Sequence, residues 1–144
     1  MNMTDYLENK VLDFLFRGQT YTAPTTLYFA LFTSPASDLE PGEEPTDSAY
    51  HRAAVNCTLA NFSGTDTPSS TAASTGTSGT IYNIATIAWP DPTEDWGEIT
   101  HIGVFDQLVG GNYLYWAEIS NPLDIVVGET GIRFAPGTLG IILS

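Results

Sequence analysis

Short apolar runs separated by glycine and proline turn signals fill the second half of the chain, and this alternation constrains the fold most. No stretch of helical periodicity lies between the runs. Short strands at about 8–12-residue spacing are typical of an antiparallel sandwich or barrel, whereas βαβ folds need intervening helices. A turn is predicted at Asn121–Pro122. The predicted strands are Thr80–Trp89, Glu98–Phe105, Asn112–Ile119, Leu123–Val127, Ile132–Phe134 and Leu139–Leu143.

Two further strands are predicted before residue 60. Thr26–Thr33 is rich in aromatic and apolar residues, as expected for a strand in the core. Tyr50–Thr58 follows, and strict alternation places Ala53, Val55 and Cys57 on one face. Cys57 is therefore predicted to be a small core residue rather than a nucleophile.

The N-terminal segment has the pattern of a short amphipathic helix that ends near Gly18. Thr4 is a good N-cap residue. A helix of this length is not stable alone in water, so its apolar side must dock on another surface. That surface is either the sheet of its own domain or a neighbouring subunit. The residues predicted to share the apolar side are Leu7, Val11, Phe14 and Leu15.

The domain organisation follows from these elements and from the 144-residue length. Residues 1–20 are predicted to form the helix, packed on the domain or on a neighbour, and residues 21–144 a single β-sandwich domain. Two segments, Asp38–Asp47 and Ser63–Gly79, lack the apolar residues of a strand and are predicted to be loops. The fold class is thus mainly β: an antiparallel, jelly-roll-like β-sandwich with one short N-terminal α-helix.

The charge of the chain disfavours several kinds of partner. Lys and Arg total 4, Asp and Glu total 17, and the net charge is −13. Binding to a nucleic-acid backbone or to an anionic membrane depends on clustered cations. We therefore expect no nucleic-acid and no membrane partner, and we find no apolar run long enough to span a bilayer. A basic protein surface would be attracted.

Motifs that carry catalysis or cofactor binding are weak in this sequence. Neither a Walker loop nor a dinucleotide fingerprint occurs. His101 and Asp106 could join a serine in a catalytic set, but His101 lies in an apolar strand and is predicted to be structural. The acidic segments Asp91–Glu98 and Asp38–Asp47 do not have the spacing of a calcium loop. We therefore predict no catalytic residue, no cofactor and no metal.

Aromatic residues provide the remaining candidates for contact with a partner. Trp96 lies in a predicted exposed loop, and Tyr113 follows a glycine turn. A carbohydrate platform is one alternative for such residues, although alternation along the strand requires some of them to be core. The candidate partner-contact residues are Leu7, Val11, Phe14, Trp96 and Tyr113.

Five blocks of the sequence, in order, resemble a family of small bacteriophage virion proteins. These blocks are Met3–Asp13, Tyr21–Thr33, Asp95–Asp106, Gly111–Trp116 and Gly131–Gly137. Proteins of this family are described as tail-fibre-like proteins or as head decoration (cement) proteins. The resemblance implies a non-enzymatic protein, made in the host cytoplasm and located in the virion.

The resemblance leaves two binding roles, and an enzyme such as a glycan hydrolase ranks third. The first role is a capsid cement protein that stabilises the head by many repeated contacts with the phage major capsid protein. The alternative is a tail-fibre or receptor-contact module that binds tail proteins. Either role implies a homo-oligomer, with a trimer among the options.

Overall fold

The computed structural model describes residues 1–67 and 69–143. Pro68, in the predicted polar loop, and Ser144, at the end of the predicted β-domain, lie outside the described residues. Strands are interrupted by one helix near the N-terminus, as the sequence predicts. The elements are β1 (Asn2–Met3), α1 (Asp5–Phe16), β2 (Thr26–Phe32), β3 (Ala53–Asn56), β4 (Thr80–Tyr82), β5 (Ile87–Ala88), β6 (Gly97–Phe105), β7 (Tyr113–Ile125), β8 (Arg133–Phe134) and β9 (Gly140–Ile142).

A five-stranded antiparallel sheet forms the centre of the molecule, with the strand order β1-β7-β6-β2-β3. β6 is central because it pairs with β2 on one side and with β7 on the other. In this register Val104 lies between Phe29 of β2 and Tyr115 of β7. Residues of like polarity therefore share one face across neighbouring strands.

One face of this sheet meets two small antiparallel sheets, β4–β9 and β5–β8. The core between these layers includes Trp89, whose Nε1 donates a 3.0 Å hydrogen bond to the Phe29 carbonyl oxygen. The structure confirms the mainly β prediction, and its layering is compatible with a sandwich. The core residues are Phe29, Leu31, Ala53, Val55, Phe62, Ile87, Trp89, Trp96, Ile99, Ile102, Val104, Ile125, Ile132, Leu139 and Ile141.

The opposite face of the sheet carries an aromatic cluster. The Phe32 ring lies edge-on to Phe105 and to Tyr113, with ring centroids 6.4 and 6.1 Å apart. Gly103 leaves the space that the Phe32 ring occupies, since a Cβ there would lie 2.5 Å from Phe32 Cζ. The Arg52 guanidinium lies 3.6 Å from the Phe105 ring centroid and forms an ion pair with Glu44. Aromatic side chains and the Arg52 guanidinium therefore pack together on this face of the sheet through aromatic and cation–π contacts.

The turn predicted at Asn121–Pro122 is wrong, because β7 continues through it. Glu118 pairs with His101 and Leu123 pairs with Ile99, so residues 119–122 lie opposite Thr100 alone. A bulge accommodates a proline that a regular ladder would not. The turn signal thus marks an irregularity inside one strand. The predicted strand Thr80–Trp89 is divided into β4 and β5.

The segment predicted as a polar loop is held by its own hydrogen bonds. Asp66 Oδ1 accepts from the Thr75 backbone N–H (3.1 Å) and from the Thr75 hydroxyl (3.0 Å). The Ser78 hydroxyl donates to the Thr65 carbonyl oxygen at 2.9 Å. Hydrogen bonds thus hold this segment together, whereas buried apolar side chains hold the rest of the fold together.

Candidate interaction surface

Thr4 anchors the start of α1 to the sheet. Its hydroxyl donates to the Tyr113 carbonyl oxygen (2.5 Å) and accepts from the Leu7 backbone N–H (3.4 Å), and its own N–H donates to Leu114 O (3.0 Å). The residue is the N-cap of the helix, as predicted, and it is buried. The first turn of α1 is therefore fixed against β7.

The rest of α1 leaves most of its apolar side chains in solvent. Leu7 is buried and Val11 is partly buried, but the predicted docking residues Phe14 and Leu15 are 54% and 62% exposed. Within this chain the apolar side predicted to dock is therefore covered at Leu7 and Val11 but not at Phe14 and Leu15, and docking of these two on a neighbouring subunit stays a prediction. The cause is position, because β7 contacts the helix near its start and the last turn extends beyond that contact.

A second apolar side of α1 faces away from the sheet; we call it the α1 stripe (Leu12, Leu15 and Phe16). At about 100° per residue these side chains cover roughly 100° of the helix surface, and Leu12 lies about 140° from Leu7. Their exposed fractions are 53%, 62% and 78%. The i, i+3, i+4 spacing of this stripe is present in the sequence, although the predicted docking side includes only Leu15 of its three residues. Among the described residues, no helix is long and apolar enough to cross a membrane.

An apolar groove of about 520 Å³ opens beside the end of β3; we call it the β3 groove. It lies between the edge of the five-stranded sheet and the β4–β9 pair. No charged side chain is among its lining residues in the described part of the chain. These residues are Leu27, Cys57, Thr58, Leu59, Phe62, Ser63, Ser74, Ile81 and Ile141.

Cys57 lies at this groove and is exposed, so the prediction of a core cysteine is wrong. Alternation places it correctly on the same face as Val55, and its backbone N–H donates to Thr25 O at 2.9 Å. The covering layer does not extend that far, and the groove remains open above the side chain. Partial burial raises the pKa of the Cys57 thiol.

Trp96 is not the exposed loop aromatic that the sequence suggested, because it is only 5% exposed. Its Nε1 donates to Asp47 Oδ2 at 2.9 Å, and its ring lies nearly perpendicular to that of Tyr50, with centroids 5.3 Å apart. Asp47 also accepts from the Thr93 hydroxyl (2.6 Å) and from the backbone N–H groups of Ala49 (2.9 Å), Thr93 (2.7 Å) and Glu94 (3.1 Å). These bonds, led by that of the Thr93 hydroxyl, hold the pKa of Asp47 well below its usual range.

Tyr113 is also buried, in the aromatic cluster. Its ring stacks on Phe105 with centroids 5.1 Å apart, and among the described residues its hydroxyl has no hydrogen-bond partner. Burial, and secondarily the charge of Asp38, raise the pKa of this hydroxyl. Of the five candidate contact residues, only Phe14 is largely exposed in this chain.

His101 and Asp106, the two residues considered for catalysis, each bind residues close to them in the chain. His101 is buried, and its Nδ1 lies 2.8 Å from the Thr100 hydroxyl. Asp106 binds the backbone N–H of Asn112 (2.7 Å) and its side-chain amide (2.6 Å), where it closes the β6–β7 turn. Five residues of extended chain separate His101 from Asp106 by roughly 16 Å, so the structure does not bring the two together.

The acidic segments compared with calcium loops use their carboxylates to accept hydrogen bonds from N–H groups of other segments. Asp91 Oδ1 accepts from Gly131 N and Asp95 Oδ1 accepts from Val127 N, both at 2.8 Å. In the loop before β3, Asp38 Oδ1 accepts from Trp116 Nε1 at 2.6 Å. Within residues 1–67 and 69–143, no three His, Cys, Asp or Glu side chains are grouped to hold a metal ion.

Comparison with known protein families gives a match over almost the whole chain. Residues 2–142 match the family described as podophage GP4 fiber I protein gp80. The match includes α1, the five-stranded sheet and both small sheets. No individual curated protein matches the sequence.

Proposed function

The chain belongs to the podophage GP4 fiber I protein family, and from this membership we propose that it is a structural component of a phage tail fibre. Its role as a phage virion structural protein is supported by the family and agrees with the resemblance found in the sequence. The match over residues 2–142 is the observation that carries the proposal. Sequence reasoning placed a capsid cement role first, whereas the family description favours the fibre alternative.

We further propose that the chain works by binding rather than by catalysis. Several polar side chains hold loops in place: Asp47 binds residues 93–96, Asp106 closes a turn, and Glu44 pairs with Arg52. A rigid domain with fixed loops suits a part that must keep its shape while it bears many contacts. Its expected partners are other tail proteins and further copies of itself.

Location in the particle tests the fibre proposal. Antibodies raised against the purified chain, coupled to gold, would be applied to intact virions and viewed by electron microscopy. We expect label on the tail fibres. Label spread over the head would overturn the fibre role and support the cement role. Absence of the chain from purified virions, measured by mass spectrometry, would overturn both.

Turnover tests the binding proposal. The purified chain would be incubated with host-envelope glycans, and newly released reducing ends would be measured. We expect none above a buffer blank. Release that is lost in Asp95→Asn or His101→Ala, with folding retained, would contradict the proposal and support a hydrolase.

A further inference from the structure

The α1 stripe exposes more apolar surface than isolated surface residues usually do. If a large side chain has about 200 Å² of surface, the exposed fractions of Leu12, Leu15 and Phe16 amount to roughly 400 Å². A contiguous apolar patch of this size is comparable with the largest on a typical monomer, and such patches are often functional. A stable interface buries about 800 Å² on each partner, so the stripe could supply its apolar centre.

The β3 groove has the complementary shape. It is concave, apolar and about 520 Å³ in volume, a size that accepts large side chains. Leu59 on its rim is 55% exposed. A convex helix end and a concave groove thus lie open on the same chain, and each exposes apolar surface to water.

The distribution of charge favours contact through α1 between copies of this chain. The part of α1 that carries the stripe, together with its C-cap (residues 10–17), holds two cations (Lys10, Arg17) and one carboxylate (Asp13), a net charge of +1, whereas the remainder of the chain carries −14. Arg17 pairs with Asp13 at 2.8 Å, which leaves Lys10 as the net positive charge of this end. Two copies that approach through this end meet less repulsion than through any more acidic part of the surface.

We propose that the α1 stripe of one copy docks in the β3 groove of a second copy. The two surfaces are different parts of the chain, so the contact is heterologous, and copies add head to tail into a closed ring or an open filament. The helix-in-groove mode requires anchors at i, i+3 and i+4, the spacing of Leu12, Leu15 and Phe16. The proposal concerns assembly of the chain itself and goes beyond its location in the virion.

The first measurement is the mass in solution, by multi-angle light scattering over a range of concentrations. We expect the native chain to reach a multiple of 15.5 kDa, and Leu15→Ser and Leu59→Ser each to shift the mass toward that of one chain. Leu39→Ser is the matched control, because Leu39 is 72% exposed outside both surfaces, and it should assemble like the native chain. Circular dichroism would confirm that each variant is folded.

The second measurement reports on the groove directly. Cys57 lines the groove and is the single cysteine of the chain, so its rate of reaction with a maleimide measures whether the groove is covered. We expect Cys57 to react several-fold more slowly in the native assembly than in the folded Leu15→Ser variant. Equal rates in the two would show that the groove is open in the assembly.

The two measurements together distinguish docking in the β3 groove from pairing of two α1 helices. A native chain with the mass of one copy at all concentrations would overturn the proposal. So would loss of assembly in Leu15→Ser with no protection of Cys57 in the native chain, which would indicate pairing of two α1 helices. Loss of assembly in both Leu15→Ser and Leu59→Ser, with protection of Cys57 in the native chain, would support it.

Discussion

Asp47 and Trp96, 49 residues apart in the chain, are joined by a 2.9 Å hydrogen bond from the indole Nε1 to a carboxylate oxygen. This bond fastens the end of the acidic loop to the segment before β6. Every hydrogen bond that the Asp47 side chain makes in the described structure uses it as the acceptor. The site therefore matches a carboxylate and no other side chain of this size.

Replacement of Asp47 by Asn should destabilise the fold. The amide group of Asn would place donors against N–H donors, which leaves buried groups without partners. We expect Asp47→Asn to lower the Tm by several degrees and to change the Trp fluorescence. Asp124→Asn is the control, because it removes the same charge at an exposed position. Equal thermal unfolding of the two variants would contradict this role.

Acid should remove the same stabilisation without a mutation. The pKa of Asp47 is lowered in the folded protein, first by the Thr93 hydroxyl. A lowered folded-state pKa contributes stability above the unfolded value of about 3.9 and loses it as pH falls toward the folded value. In urea titrations, the difference between the native chain and Asp47→Asn should stay constant above about pH 5 and shrink below about pH 4. A difference that grows on acidification would be inconsistent with this cause.

Local patterns in the sequence predicted most of the elements, but not which residues the tertiary structure covers. The helix cap at Thr4 and the alternation of Ala53 and Val55 follow from nearest-neighbour rules, and both are confirmed. Cys57 continues that alternation yet is exposed, because the extent of the covering layer is a long-range property. Trp96 is buried in the main core and its indole N–H binds Asp47, a contact that spacing cannot reveal.

Thr4→Ala should weaken the attachment of α1 to the sheet. The Thr4 hydroxyl caps the helix and also donates to β7, so its loss should lower the free energy of unfolding by about 1–2 kcal/mol. Thr22→Ala, at an exposed position before β2, should change it by less than about 0.5 kcal/mol. Urea unfolding would measure both. Recovery of most of the stability in Thr4→Ser would show that the hydroxyl, rather than the methyl group, makes the difference.

Self-association through the α1 stripe should strengthen with added salt. Each copy carries a net charge of −13, so copies repel one another, while the proposed contact between stripe and groove is apolar. Screening shortens the range of that repulsion from about 30 Å at 0.01 M salt to about 10 Å at 0.1 M, and apolar docking is not weakened by it. Sedimentation equilibrium at several salt concentrations should therefore show tighter association as salt rises, with Leu15→Ser dissociated throughout. Association that weakens with salt would instead indicate that Lys10 and Arg17 hold a neighbour by ion pairs.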